Sequence, residues 1–189
     1  NSTAIWRWIE KTLAPLMRHG VVLNRSGRVA YFPSGGFIAV YSTHTPTSAD
    51  GMRNEAFHLA IMDEGARIDE YVFTEVVMPT LADYDGDLII PSTPNGKNWF
   101  FNEYTRGLGD MNEQASFHAS SAANPLPNIQ KAFVRAKERL PERTFREEWL
   151  AEFVEDGAVF RNVRACATAT LQSEPIAGHT YLFGMDTAK

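Results

Sequence analysis

The spacing of apolar positions changes several times along the chain, and each change marks an expected element. Ile5, Ile9, Leu13, Leu16 and Met17 recur at helical spacing, with Trp6 and Trp8 beside them, and Pro15 predicts that this helix ends or kinks there. Two short runs rich in β-formers follow, Arg28-Val29-Ala30-Tyr31-Phe32 and Gly36-Phe37-Ile38-Ala39-Val40-Tyr41. Pro33-Ser34-Gly35-Gly36 is turn chemistry, so a hairpin or two adjacent strands are expected. The polar stretch from Ser42 to Asn54, with Pro46 and Gly51, reads as a surface loop.

Two apolar runs of strand length come next. Phe57-His58-Leu59-Ala60-Ile61-Met62 ends in Asp63-Glu64, and Leu88-Ile89-Ile90 ends in Pro91-Ser92-Thr93-Pro94-Asn95-Gly96. Ile68, Val72, Val76 and Leu81 lie between them at near-helical spacing. Strand, helix, strand in this order predicts a parallel α/β unit with buried strands. A short aromatic helix is expected from Asn98 to Arg106, and a strand from Gln114 to Ala119. A helix with Pro127 in its first turn then runs to Pro141, and a second one carries Phe145, Trp149, Leu150 and Phe153. Periodicity is lost from about Val154 to His179, as in an interdomain linker, and Tyr181-Leu182-Phe183-Gly184-Met185-Asp186 reads as the first strand of a new domain.

Composition narrows the classes without selecting one. Of 189 residues, 44% are hydrophobic and 22% charged, a globular balance that excludes a disordered tail, a collagen-like repeat and a coiled coil. No apolar run approaches the roughly 20 residues of a membrane span. The single cysteine, Cys166, excludes an internal disulfide and fits a reducing cytoplasm. A net charge of −5 carries no electrostatic sign of nucleic-acid binding. The chain starts without Met or a signal peptide, and is expected to be part of a longer one.

Candidate chemistry gathers at the strand ends. A strand ending in Asp63-Glu64 places two carboxylates at the carboxyl edge of a sheet, where α/β ligand sites form. Such an Asp helps to hold Mg²⁺ in nucleotidases, and a following Glu polarises water; alone, the pair also reads as two solvated acids. Ser92-Thr93-Pro94 ends the neighbouring strand, where hydroxyls reach a γ-phosphate or simply shape a Pro-flanked turn. Arg53 stands just ahead of the first strand, either a charge stabiliser or a solvated surface residue. Asp186 ends the last apolar run and would supply one carboxylate of a metal site, which needs others. Asp83, Asp85 and Asp87 mimic a calcium loop, but Leu88 and Pro94 occupy the required Gly and Glu positions. The histidines share no zinc-ligand spacing, and no Gly-x-x-x-x-Gly-Lys-Ser/Thr loop is present.

Taken in order, Leu59-Ala60-Ile61-Met62-Asp63-Glu64-Gly65-Ala66 and Ile89-Ile90-Pro91-Ser92-Thr93-Pro94-Asn95-Gly96 resemble the Walker B and coupling motifs of the terminase large subunit, the DNA-packaging motor of tailed phages. Asn124-Pro125 before a helix, and Phe145 to Phe153, are similar to the end of that family's ATPase region. Tyr181 to Ala188 is similar to the opening strand of its RNase H-like nuclease. The resemblance implies a partial RecA-like P-loop ATPase over residues 1–153, a linker over 154–179, and the start of the nuclease over 180–189. It makes Asp63 the Mg²⁺-associated acid, Glu64 the catalytic base, Ser92-Thr93-Pro94 the element coupling hydrolysis to DNA movement, and Asp186 the first nuclease ligand for Mg²⁺ or Mn²⁺. Arg53 matches an arginine that in some terminases acts in trans on the neighbouring subunit.

The implied activity is ATP-driven translocation of double-stranded DNA into a procapsid, with cutting of concatemers. The implied partners are DNA, a portal protein, a small subunit and further copies in a ring, in the cytoplasm of the bacterial host. Without Walker A, this stretch by itself is expected not to hydrolyse ATP. Two other readings remain: a superfamily 2 helicase core, which favours Glu-Ala-His or Glu-Ala-Asp where Glu64-Gly65-Ala66 stands, and a non-catalytic DNA-tethering module.

Overall fold

A computed structural model describes residues 2–43, 46–109, 113–154 and residue 178. The chain divides into two units, Asn1–Glu155 and Asp156–Lys189. The expected nuclease strand and nearly all of the expected linker lie outside the described residues, and the architecture is therefore that of the first unit.

Its first layer is built on helix α1 (Ser2–Leu13), which buries Trp6 and Leu13 with Val21 and Ala30. Pro15 changes the helix as expected: residues Ala14–His19 continue as a 3₁₀ segment with proline in the first turn, where a missing N–H is tolerated. Strands β1 (Val22–Asn24), β2 (Val29–Tyr31) and β3 (Phe37–Ala39) form an antiparallel sheet in that order, with Ala30 opposite both Leu23 and Ile38. The expected hairpin is β2–β3. Strand β1 escapes sequence reading because Val21-Val22-Leu23 is too short a run to show a period.

The expected loop from Ser42 to Asn54 contains helix α2 (Pro46–Asp50), and nearby Ala49 and Met52 are buried in the second core. Two apolar residues in a polar stretch give no periodic signal, and such a short helix depends on packing for its stability.

The second core lies beside strands β4 (Leu59–Ile61) and β5 (Asp87–Ile89), which pair in parallel as expected. Their helical crossover is not uniform. It contains a π-helical stretch, Val72–Val77, then helix α3 (Met78–Leu81) and a 3₁₀ turn, Ala82–Tyr84. Pro79 has no N–H for the helical ladder and its ring would crowd the carbonyl four residues back, so a widened preceding turn accommodates it. The five-residue step from Val72 to Val77, both buried, matches that widening. The strands are not buried on both faces. Ala60 and Leu88 pack against the second core, whereas Leu59, Ile61 and Ile89 are half exposed or more, because a single helical layer covers the pair among the described residues.

Helix α4 (Trp99–Arg106) is capped by Asn98, whose side chain accepts the Phe100 N–H. Trp99 stacks on Phe73 at 4.7 Å and donates its indole N–H to the Ile68 carbonyl, which fixes α4 to the crossover. Helices α5 (Pro127–Arg139) and α6 (Glu142–Glu148) flank Pro141, with Phe133 packed on Phe145. Helix α6 is shorter than expected: it ends at Glu148, Ala151 is left-handed at φ 54°, and Phe153 packs on Phe100, Phe101 and Tyr104. The expected strand at 114–119 is not formed: these residues join no ladder. The Ser116 N–H donates to the Gly107 carbonyl, His118 meets the Leu150 carbonyl, and Phe117 is 86% exposed. Isolated bonds of this kind to a turn and to a loop do not build a ladder.

Candidate functional site

Parallel pairing brings two loops together. Leu59, Ala60 and Ile61 lie opposite Asp87, Leu88 and Ile89, and the ladder continues as the Met62 N–H donates to the Ile89 carbonyl at 2.9 Å. A last bond, from the Gly65 N–H to the Pro91 carbonyl at 3.3 Å, ties the loop carrying Asp63-Glu64 to the one carrying Ser92-Thr93-Pro94. The order of elements read from sequence therefore corresponds to adjacency in space.

Glu64 sits at φ 56°, ψ 42°, a left-handed conformation that costs a non-glycine residue about 1–3 kcal/mol. Gly65 makes this turn possible: a Cβ there would lie 2.1 Å from Cγ2 of Ile90, a β-branched side chain with little freedom to move away. Gly65→Ala should therefore destabilise the first unit by about 1–3 kcal/mol, the usual cost of overpacking. The check is a thermal melt. A midpoint within error of wild type would mean that the two strand ends are not pressed together at Gly65.

The three residues after β5 behave differently from one another. The Ser92 hydroxyl accepts the Ala66 N–H at 3.1 Å and donates to the Thr93 carbonyl at 2.8 Å, so it ties the loops together and is not free for a ligand. The Thr93 Oγ1 is buried and has no hydrogen-bond partner. Pro94 is buried. Asn98 adds a third tie, donating to the Ala66 carbonyl at 2.6 Å. Gly96 takes φ 62°, the left-handed conformation its residue type permits, and its N–H donates to a Glu147 carboxylate oxygen at 3.1 Å.

Asp63 is exposed at the carboxyl end of β4. Among the described residues no three His, Cys, Asp or Glu side chains gather where they could hold a metal ion. One carboxylate is nevertheless what Mg²⁺ commonly takes from a nucleotidase, with phosphate oxygens and water completing its shell. Asp186, the other expected ligand, lies outside the described residues.

Arg53 is held in a separate cluster. Its Nε donates to Asp50 at 2.8 Å, its Nη2 donates to the Tyr71 hydroxyl, and its guanidinium lies 5.4 Å from the centre of the Tyr71 ring. Tyr71 in turn donates to Asp50 at 3.1 Å. The hydrogen bond from Arg53, and then that from Tyr71, hold the Asp50 carboxyl below its ordinary range. Arg53 is thus an oriented side chain, and none of these partners belongs to the strand-end loops.

Sequence reading missed Arg67. Its Nε lies 3.7 Å from the Glu64 carboxylate and its Nη2 2.5 Å from that of Glu148. The three-residue spacing from Glu64 was the available signal. Glu148, 81 residues away along the chain, left none.

No family model matches the sequence. The terminase large subunit of Thermus phage G20c is 33% identical over 119 residues, 56% of this chain and 24% of that protein. The terminase large subunit of Escherichia phage T5 is 27% identical over 131 residues, 67% of this chain and 30% of that protein. Among solved structures, the large terminase ATPase domain of Thermus phage P74-26 aligns with a TM-score of 0.65 and 25% identity, covering 81% of this chain and 72% of that one. The chain spans under a third of the length of these two curated relatives.

Proposed function

We propose that this chain, which is similar to phage terminase large subunits and to the ATPase domain of one of them, forms the carboxyl-side part of the ATPase of a DNA-packaging motor. The observation that carries this reading is the tied pair of strand ends, with Glu64 turned left-handed on one loop and the Thr93 hydroxyl buried without a partner on the other. A buried, unsatisfied hydroxyl costs about 1–3 kcal/mol, and a group that enters during function is one reason to keep it.

In this reading Glu64 takes the proton of the attacking water as general base. Thr93 meets the γ-phosphate region and reports whether phosphate is there. Asp63 would hold Mg²⁺, which when bound supplies charge neutralisation on the β- and γ-phosphates. The Ser92 and Asn98 ties keep the two loops at fixed separation, so a change sensed at Thr93 is delivered to the Glu64 turn. The phosphate-cradling loop comes from outside this sequence. Arg53 acts on the nucleotide of a neighbouring copy in a ring. Double-stranded DNA is the translocated substrate, and a portal protein and small subunit are the packaging partners, in the host cytoplasm. Beyond the first unit, residues 180–189 begin an RNase H-like nuclease that cuts the DNA, with Asp186 as one ligand of its divalent metal.

Thr93→Val tests the coupling role. Valine keeps the shape and removes the orphan hydroxyl, so the variant should be more stable by about 1 kcal/mol. In the full-length protein it should nevertheless move less DNA per ATP consumed, with hydrolysis itself reduced less than by Glu64→Gln. The measurement is ATP hydrolysed per length of DNA packaged. If packaging and hydrolysis fall in strict proportion, Ser92-Thr93-Pro94 is only a turn.

A further inference from the structure

Helix α6 reaches both strand-end loops through adjacent side chains. Glu148 binds Arg67 at 2.5 Å, and Arg67 extends to Glu64 at 3.7 Å. Glu147, with only 14% of its side chain exposed, accepts the Gly96 N–H at 3.1 Å from the loop after β5. A carboxylate accepting a backbone N–H makes a stronger bond than a neutral acceptor. Here it also satisfies the amide of a buried residue held at φ 62°. The side chain of Glu147 is itself steadied by Arg143, one turn earlier, at 3.4 Å. Two consecutive carboxylates on one helix thus contact the two loops separately.

We propose that α6 is a brace for the hydrolytic site, with Glu147, Glu148 and Arg67 as positioning residues: Glu147 sets the loop after β5, and Glu148 sets the Glu64 carboxylate through Arg67. Arg67 is half exposed and lies between two acids, so neither pair contributes much to folding. Its consequence is directional. A carboxylate at the end of a flexible side chain samples several rotamers, and a general base must lie within hydrogen-bond reach of its water. Arg67 restricts Glu64, and Glu148 restricts Arg67. This inference rests on the reading of Glu64 as the base.

The test is a kinetic double-mutant cycle of Arg67→Ala and Glu148→Ala in the full-length protein, with Glu64→Gln measured in parallel. Each single variant should lower kcat about fivefold, the rate equivalent of one exposed ion pair, and leave KM for ATP unchanged. Because Glu148 acts through Arg67, the double variant should be no slower than Arg67→Ala alone. Losses that multiply, a rise in KM with kcat unchanged, or no loss at all would overturn the brace. If Glu64→Gln itself hydrolyses ATP at the wild-type rate, the base reading falls and takes the brace with it. If Glu64→Gln is inactive while the cycle shows no coupling, only the brace falls.

Discussion

If Arg53 is the proposed finger, Arg53→Ala in the full-length protein should lower ATP hydrolysis by about 10³ to 10⁵, the worth of an arginine finger, and should do so only in assembled rings. The side chain is oriented by Asp50 and Tyr71 within its own chain, away from the tied loops, which suits a group that serves a neighbour's nucleotide. To act there the guanidinium exchanges Asp50 for phosphate oxygens, or presents its remaining donors while still held. The Asp50 carboxyl is depressed in the folded state, so its contribution is complete above the ordinary carboxylate range and is lost only as pH falls through the lowered value. The cluster is therefore fully formed at neutral pH. Mixed rings decide the matter: Glu64→Gln subunits that keep Arg53 should restore hydrolysis by Arg53→Ala subunits. Complete failure of complementation argues against action in trans.

Glu64→Gln in the full-length protein should lower hydrolysis by about 10² to 10⁴, the worth of a general base, while nucleotide binding persists. Glutamine keeps the length of the side chain and can occupy the same left-handed turn, but it cannot accept a proton from water. Asp63 and the phosphate-binding groups remain in place, so the variant should hold ATP without turning it over. The measurement pairs a binding isotherm with single-turnover hydrolysis. Loss of both together would make Glu64 a structural residue of the turn, which its left-handed backbone would otherwise explain.

The two variants separate the chemistry from its delivery. In the proposed reading Glu64→Gln removes a base contributed by the same subunit and Arg53→Ala a charge contributed by the next, so only the Arg53→Ala effect should depend on assembly. Neither is expected to unfold the first unit, since both side chains are substantially exposed.

Local sequence determined where the chemistry could lie. Apolar runs of strand length ending in Asp63-Glu64 and Ser92-Thr93-Pro94, separated by a helical period, were enough to place both at the carboxyl edge of a parallel pair, because parallel strands joined by a crossover must end on the same side. Pro15 and Pro127 marked helix ends for the equally local reason that proline lacks a donor. Tertiary structure decided what each side chain does there. Ser92 and Thr93 are neighbouring hydroxyls in sequence, yet one ties two loops and the other is left without a partner, because only Ser92 lies against the Ala66 amide. Arg53 read as a solvated arginine or a finger until Tyr71, eighteen positions on, was folded against it. Strand β1, helix α2 and the non-strand at 114–119 were set by which neighbours came within reach, and so were Arg67 and α6. Hydrogen bonds and packing over such separations leave no period in the sequence, since each depends on partners that become neighbours only when the chain has folded.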